Sequence, residues 1–286
     1  MDNRFPVIMK KILVTTDFST SSRSALYFAI QLASQSGFSL TFFHSYHVLV
    51  PTAWNEKVFD SFEKSEASKI EKKLQRLVES VYKKSGLKKG EYECVVSRSV
   101  FPEKAIIKYA KDNEVDFICI SRRGGAIHRN IFGTTTSGLI NKSAIPVIAV
   151  PPNYKSEKIK KVLYASDLLN LNKEVYRVAD FAKPLKLKLE LLHFKVPSDV
   201  SLDPKIIANA SKKFSGQEIT MHLRDFDFSE SLMKNLDKAI SDSKPSIVVM
   251  FTQQHRDFFS RLFLPGSTPS YAFKASVPLL VFPKTQ

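Results

Sequence analysis

The fold class is indicated most clearly by residues 10–44, KKILVTTDFSTSSRSALYFAIQLASQSGFSLTFFH. It has the pattern of an apolar strand, a helix and a second apolar strand. Ser19 or Thr20 is a candidate cap at the start of the helix, and Gly37 is a candidate for its end. Because a helix joins two strands that are apolar along their length, we expect the strands to be parallel and covered on both faces.

The alternation of strands and helices continues beyond this stretch. The pattern predicts a long charged helix at about 55–85, a strand at 92–98, a helix from Pro102 to Lys111, a strand at 116–121, a helix near 134–142 and a strand at 145–150. The first part of the chain therefore predicts a Rossmann-like α/β domain with a five-stranded parallel sheet and helices on both faces.

The same order of elements then begins again. KKVLYASD at 160–167 resembles KKILVTTD at 10–17, and ASVPLLVFP at 275–283 resembles SAIPVIAVP at 143–151. Two tandem copies of one α/β domain are therefore predicted. The expected boundaries are a first domain at 1–152, a linker at 153–158 and a second domain at 159–286, in which the long helix shortens to about 203–214.

Composition limits the class of protein. The chain has 286 residues, of which 43% are hydrophobic and 25% charged, and this balance excludes disordered, collagen-like and disulfide-scaffold proteins. Its net charge of +15 is spread over both halves, and aromatic residues are not interleaved with the basic ones, which argues against a nucleic-acid surface. No apolar run is long enough for a membrane span and no secretory signal stands at the start, so we expect a cytoplasmic protein.

The cysteines and histidines do not predict a metal or redox site. Cys94 and Cys119 lie in apolar strand-like runs, where a cysteine is usually a small core residue. The six histidines lack the spacing of zinc ligands. His44 and His193 occupy the same place in the two copies, and each is predicted to be a hydrogen-bonded histidine near the end of the second strand.

The sequence resembles the universal stress protein family over nearly its whole length. The resemblance rests on ILVTTDFSTSSRSALYFAIQLA (12–33), LTFFH (40–44), PEKAIIKYAKDNEVDFICIS (102–121) and GTTTSGLINKSAIPVIAVP (133–151). It implies two tandem domains of the adenine nucleotide alpha hydrolase-like fold. It further implies that the two copies pair through their last strands as an intramolecular pseudo-dimer, and it is compatible with a homodimer of two chains.

Family members that bind ATP carry a G-x2-G-x9-G-[ST] motif and an aspartate at the end of the first strand. Glycines let backbone N–H groups approach phosphate, and the last pair of the motif opens a helix whose N-terminus favours an anion. Asp17 stands where the aspartate belongs, and Gly133-Thr134 matches the end of the motif. The resemblance implies ATP or AMP, with Mg²⁺, held by Thr15, Thr16, Asp17, Ser45, Ile120, Ser121, Gly124, Gly125, Gly133, Thr134, Thr135 and Thr136.

The front of this motif departs from the family pattern. Counted back from Gly133, the first two glycine positions fall on Ile120 and Arg123, while Gly124 and Gly125 are shifted. Either a one-residue deletion restores the register, with Ser121 and Gly124 in the glycine positions, or the phosphate-binding loop is lost. The residues around the motif are strongly cationic, and this charge either favours a phosphate or is solvated in a loop. The cationic residues are Arg122, Arg123, His128 and Arg129.

The second copy keeps less of the motif. Asp167 and Gly266-Ser267 persist, but residues 252–265 contain no glycine. Side chains there stand where a triphosphate needs close backbone contact, so we expect no nucleotide in the second copy.

Three functions stay open at this stage. The resemblance favours a non-enzymatic stress-response protein that binds ATP or AMP in its first domain and acts on an unidentified protein partner. The first alternative is an interaction module that binds no nucleotide. The second is a slow ATPase, against which stands the absence of a G-x4-G-K-[ST] loop from the sequence.

Overall fold

The computed structural model describes residues 9–48, 56–122, 134–168, 170–195, 219–252 and 276–283. The first half contains β1 (Lys11–Thr15), α1 (Arg23–Ser36), β2 (Ser39–Tyr46), α2 (Glu56–Ser85), β3 (Tyr92–Arg98), α3 (Pro102–Asp112), β4 (Phe117–Ser121), α4 (Thr134–Lys142) and β5 (Val147–Val150). The second half contains β6 (Lys161–Ala165), α5 (Leu171–Ala182), a 3₁₀ turn (Lys183–Leu185), β7 (Lys188–Lys195), β8 (Ile219–Asp225), α6 (Leu232–Ser243), β9 (Ile247–Phe251) and β10 (Leu279–Phe282).

The strands form one continuous sheet in the order β3-β2-β1-β4-β5-β10-β9-β6-β7-β8. All pairs within each five-stranded half are parallel, as predicted. The halves meet where β5 pairs with β10 in antiparallel register, Val147 opposite Val281 and Ala149 opposite Leu279. The last strands therefore pair, as the family resemblance implied, and this removes two apolar sheet edges.

Equivalent backbone hydrogen bonds recur in the two halves. Thr16 N donates to Phe43 O at 3.0 Å, and Ser166 N donates to Leu192 O at 2.9 Å. Before the last strand of each half, Pro146 O accepts from Ile118 N and Pro278 O from Val248 N, both at 2.9 Å. The second half thus repeats the first in strand order and in local geometry.

The core lies in two layers, one on each face of the sheet. α1, α2 and α5 cover one face, whereas α3, α4 and α6 cover the other. Adjacent residues of β1 alternate between the layers, with Ile12 and Val14 in one and Leu13 in the other. Each layer contains residues of both halves, and the Phe117 ring lies 5.3 Å from the Phe181 ring across the junction. The two halves therefore share their hydrophobic core on both faces.

The start of α1 corrects the sequence prediction. α1 begins at Arg23, and neither Ser19 nor Thr20 caps it. The serines instead hydrogen-bond within the preceding loop, where Ser22 Oγ donates to Ser19 O at 2.8 Å. A serine side chain competes with helix formation in this way when a neighbouring backbone group offers a partner. Gly37 ends α1 with φ 74°, as predicted.

The segment expected to be a linker, 153–158, packs against α1. The Tyr154 ring meets the Phe28 ring edge-on at 5.4 Å, and Ser156 Oγ donates to Gln31 Oε1 at 3.1 Å. Burial raises the pKa of Tyr154 to about 12. The predicted domain boundaries on either side of this segment stay predictions.

Three elements of the second half were not assigned from the sequence, α5, β8 and α6. β8 pairs with β7 in parallel at the edge of the sheet, from Ile219 opposite Leu189 to Asp225 opposite Lys195. The helix expected near 203–214 lies outside the described residues. No helix in the described ranges combines the length and the apolar character that a membrane span requires.

Candidate functional site

A cleft of about 140 Å³ lies at the carboxyl ends of β1, β2 and β4, beside the first turns of α3 and α4. Open parallel sheets place ligand sites at this edge, because the loops that follow the strands diverge there. Nine of the residues expected to hold a nucleotide line the cleft, namely Thr15, Thr16, Asp17, Ser45, Ile120, Ser121, Thr134, Thr135 and Thr136. Their role in binding stays a prediction. Gly124, Gly125 and Gly133 lie outside the described residues.

Six further residues line the cleft that the sequence did not assign to it, namely Ser19, Ser21, Ser22, Phe43, Pro102 and Ile106. The serines belong to the run STSS after the first strand, which was interpreted as a helix cap. Phe43 is opposite Thr15 in the sheet register, so the pairing of β1 with β2 brings it to the cleft. Pro102 and Ile106 add an apolar wall from α3.

Hydrogen bonds within the loop after β1 hold Asp17 at the cleft. Thr16 Oγ1 lies 2.8 Å from Ser22 Oγ and accepts from Phe18 N at 3.0 Å. Phe18 has φ 62°, a left-handed conformation that a bulky residue rarely adopts. Ser19 N donates to Asp17 Oδ1 at 2.9 Å, and the Asp17 side chain is exposed. The turn therefore presents one carboxylate to solvent at the carboxyl end of β1.

His44 supports this turn from beneath. Its Nδ1 lies 2.7 Å from the carbonyl oxygen of Thr16, and its ring centroid lies 4.2 Å from that of Phe18. Burial lowers the pKa of His44, and the hydrogen bond to Thr16 opposes this only in part. His44 belongs to β2 and does not line the cleft. Its contact with Thr16 confirms the prediction of a hydrogen-bonded histidine near the end of the second strand.

Ser121 closes the floor of the cleft. Its hydroxyl donates to the carbonyl oxygen of Ser21 at 2.6 Å and thereby ties the end of β4 to the loop before α1. On the opposite side, Thr134 is exposed and Thr136 is buried in the first turn of α4. The first turn of a helix carries N–H groups without intrahelical partners and a partial positive charge, so this side of the cleft favours an anion.

Comparison with known proteins agrees with this architecture. The model of the universal stress protein family matches residues 9–151, half of the chain. The chain belongs to the universal stress protein family.

Solved structures show the same fold over nearly the whole chain of this universal stress protein. A universal stress protein from Archaeoglobus fulgidus DSM 4304 is 16% identical with a TM-score of 0.68, over 95% of this chain and 97% of that one. A protein of unknown function from Pseudomonas aeruginosa PAO1 is 11% identical with a TM-score of 0.55, over 96% and 93%. At these identities the likeness shows the fold alone. No curated protein matches the sequence.

The second half of this universal stress protein keeps the turn that carries the aspartate. Leu168 has φ 66° and its N–H donates to Ser166 Oγ at 3.0 Å, as Phe18 does to Thr16. The expected lack of a nucleotide in this half stays a prediction, because residues 253–275 lie outside the described part.

Arg122 corrects one interpretation of the charges after β4. It is buried, with 3% of its surface exposed, and its backbone N–H donates to Val150 O at 2.7 Å. Burial lowers the pKa of Arg122 to about 10, while the carboxylate of Asp237 in α6 acts to raise it. Arg122 is therefore neither a solvated loop charge nor part of the cleft lining, and it interacts with a residue of the other half.

The cysteines have no catalytic features. Cys119 is buried and Cys94 is half-buried, and neither forms a disulfide. Burial raises the pKa of Cys94 to about 11 and also raises that of Cys119. A thiol is a poor nucleophile when its pKa lies so far above neutrality. Within the described ranges no group of three or more metal-ligating side chains comes together.

Proposed function

We propose that this universal stress protein is a non-enzymatic nucleotide-binding protein whose first half takes ATP or AMP in the cleft beside Asp17. One observation carries the proposal. The carboxylate after β1, the hydroxyl groups at the ends of β1 and β4 and the first turn of α4 converge on one cleft at the carboxyl edge of a parallel sheet.

The chemistry of the two sides of the cleft fits the parts of a nucleoside. An ionised carboxylate only accepts hydrogen bonds, so Asp17 suits the ribose hydroxyls or the adenine amino group. Phe43, Ile106 and Ile120 supply the apolar surface that a base requires. The residues that line the cleft therefore fit a nucleoside.

The phosphate end belongs at α4. Thr134, Thr135 and Thr136 bring hydroxyl and backbone donors to the first turn of a nine-residue helix. Mg²⁺ keeps several of its waters and is bound largely through the phosphates of a nucleotide. A separate cage of carboxylates is therefore not needed, and a magnesium ion would enter together with ATP.

The lining supports binding better than hydrolysis. Asp17 is the one carboxylate, and no histidine occurs, among the described residues that line the cleft. Hydrolysis needs a group that orients or activates water close to the phosphate. Since Asp17 follows β1 and the phosphate site is at α4, we assign no catalytic residue. The bound nucleotide would instead set the conformation that a protein partner recognises.

Isothermal titration of the full chain, freed of bound ligand, with Mg·ATP, Mg·ADP and AMP tests the proposal. We expect one site per chain. Asp17→Asn keeps the acceptor for Ser19 N but removes the charge, and hydrogen bonds to charged groups contribute about 1.5–3 kcal/mol, so affinity falls roughly 10- to 100-fold.

Asp167→Asn is the matched control at the equivalent turn, and it leaves the affinity unchanged. Absence of binding by the wild-type protein, or equal affinities in wild type and Asp17→Asn, would contradict the proposal and favour the interaction module. Steady phosphate release above that of heat-inactivated protein would contradict the non-enzymatic role.

A further inference from the structure

A second cleft lies at the amino-terminal edge of the strands of the second half, where β6, β7 and β9 begin. Its lining is dominated by six lysines, and we name it the lysine cleft: Lys158, Lys160, Lys161, Lys186, Lys188 and Lys244. Gln35 of α1 also contributes, and the Gln35 side chain bonds the backbone of Ile159 at 2.8 and 2.9 Å. No residue lines both this cleft and the one beside Asp17.

The charge of the lysine cleft is poorly compensated. Six lysines face two acids, Glu157 and Glu190, which leaves 6 − 2 = +4. Glu190 is already engaged, because Lys161 Nζ lies 3.0 Å from its Oε1 and Ser243 Oγ donates to its Oε2 at 2.5 Å. The other five lysines are exposed, and none has an acidic partner within the described part of the chain. The lining of this concave surface thus carries an excess of positive charge.

Two of these lysines occupy backbone positions that disfavour lysine. Lys186 has φ 52° and Lys244 has φ 51°, each at the end of a helix. In the first half the corresponding position before β2 is Gly37, with φ 74°. Glycine has no Cβ and adopts this conformation without strain. The position before β4 that corresponds to Lys244 is Glu114, so the sign of its charge is inverted. The second half therefore carries lysines where the first half has a glycine and an acid.

Local electrostatics explains only part of this arrangement. A cation at the end of a helix is favoured by the helix dipole, which accounts for Lys186 and Lys244 taken singly. It does not account for Lys158, Lys160 and Lys188, which belong to the chain before β6 and to the start of β7. In the first half the equivalent of Lys160 is Lys10, whose ammonium is paired with Asp180.

We propose that the lysine cleft binds a polyphosphate anion, a chain or cluster of phosphate groups without bases. Lysine ammonium groups act as point charges toward phosphate oxygens. Neither an aromatic residue nor an arginine occurs among the described residues of the lining, so the cleft offers no stacking platform for nucleic-acid bases. Its volume of about 1160 Å³ accommodates an extended anion.

Titration of the full chain with sodium tripolyphosphate and with a longer linear polyphosphate, at low and at physiological salt, tests this proposal. We expect tighter binding of the longer chain and weaker binding as salt screens the ammonium groups. The double variant Lys186→Gly/Lys244→Gly removes two charges and relieves both left-handed lysines. It stays folded and binds polyphosphate at least about tenfold more weakly.

Lys83→Gln/Lys84→Gln, at the exposed end of α2, is the control with the same change in net charge, and its affinity stays that of wild type. Three outcomes would overturn the proposal: no binding by wild type, an equal loss in the control, or binding of single-stranded RNA or polyglutamate as tight as that of polyphosphate. Asp17→Asn leaves polyphosphate binding intact, which keeps this test separate from that of the nucleotide site.

Discussion

His44 Nδ1 lies 2.7 Å from the backbone carbonyl oxygen of Thr16, directly beneath the turn that carries Asp17. A carbonyl oxygen only accepts, so Nδ1 carries the hydrogen in this contact. The second half repeats the contact between His193 and Ser166 at 3.0 Å. A histidine from the second strand of each half thus fixes the path of the chain after the first strand.

We expect the protein to become less stable as the pH is lowered, because of the protonation of His44. Burial lowers the pKa of folded His44 below 6.5, so as pH falls the unfolded chain takes up the proton first. The stabilisation is complete above about pH 6.5 and is lost progressively below it. Urea unfolding at about pH 7.5 and about pH 5.5 measures the loss.

His44→Gln is the variant for this measurement, since its amide can still donate to Thr16. It costs about 1 kcal/mol near neutral pH and shows a smaller loss than wild type in acid. Equal losses in both proteins would mean that His44 does not titrate as described.

A buried polar pair in the second half is expected to matter for stability. Tyr164 is fully buried, and its hydroxyl is hydrogen-bonded to the carboxylate of Glu174, which is 2% exposed. Burial, and then the charge of Glu174, raise the pKa of Tyr164. Tyr164→Phe leaves the carboxylate without this donor and lowers the free energy of unfolding by about 1.5–3 kcal/mol.

Chemical unfolding of Tyr164→Phe beside Tyr176→Phe checks this expectation. Tyr176 is 66% exposed, and loss of its hydroxyl changes stability by less than about 0.5 kcal/mol. A change of similar size in both variants would show that the pair contributes nothing.

Gly37 and Lys186 predict stability changes of opposite sign at equivalent positions. No atom lies within 4 Å of a Cβ added at Gly37, so Gly37→Ala introduces only the strain of its left-handed backbone, about 1 kcal/mol. Lys186→Gly relieves that strain and raises the free energy of unfolding by roughly 0.5 kcal/mol, after the greater freedom of glycine in the unfolded chain is deducted.

Gly90→Ala is the control for both, because Gly90 has open space around it and no positive φ. It is expected to stabilise the protein by about 0.4–1 kcal/mol. The denaturation midpoints of the three variants measure these changes. A stabilising Gly37→Ala would contradict the left-handed backbone strain assigned to this position.

Strands that contain an apolar run were the most predictable elements. β4 is buried at every residue and differs from its prediction by one residue, whereas β3 lies at the edge of the sheet and still has its predicted bounds, 92–98. Both strands contain consecutive apolar residues, which short-range pattern alone reveals. β8, with the sequence ITMHLRD, lies at the edge of the sheet and alternates in burial, so it lacks that run.

The family resemblance placed Thr15, Asp17 and Ser121 in the candidate site, and the structure brings all three to the cleft at the carboxyl ends of the strands. Phe43 and Ile106 have the character of core residues, and only the strand register and the packing of α3 bring them to the cleft. The lysine cleft was not predicted, because the fold assembles it from segments that lie far apart in the sequence.

The melting temperature of the full chain, freed of bound ligand, with and without ATP, ADP and AMP in the presence of Mg²⁺, tests the nucleotide site proposed for the first half. A ligand at about 100 times its Kd stabilises the folded state by roughly 2.7 kcal/mol, which shifts the melting temperature by several degrees. We predict such a rise in the wild-type protein and a rise of about half that size or less in Asp17→Asn, whose affinity is roughly 10- to 100-fold lower. No rise at saturating nucleotide, or an equal rise in Asp17→Asn, would contradict a nucleotide site in the first half.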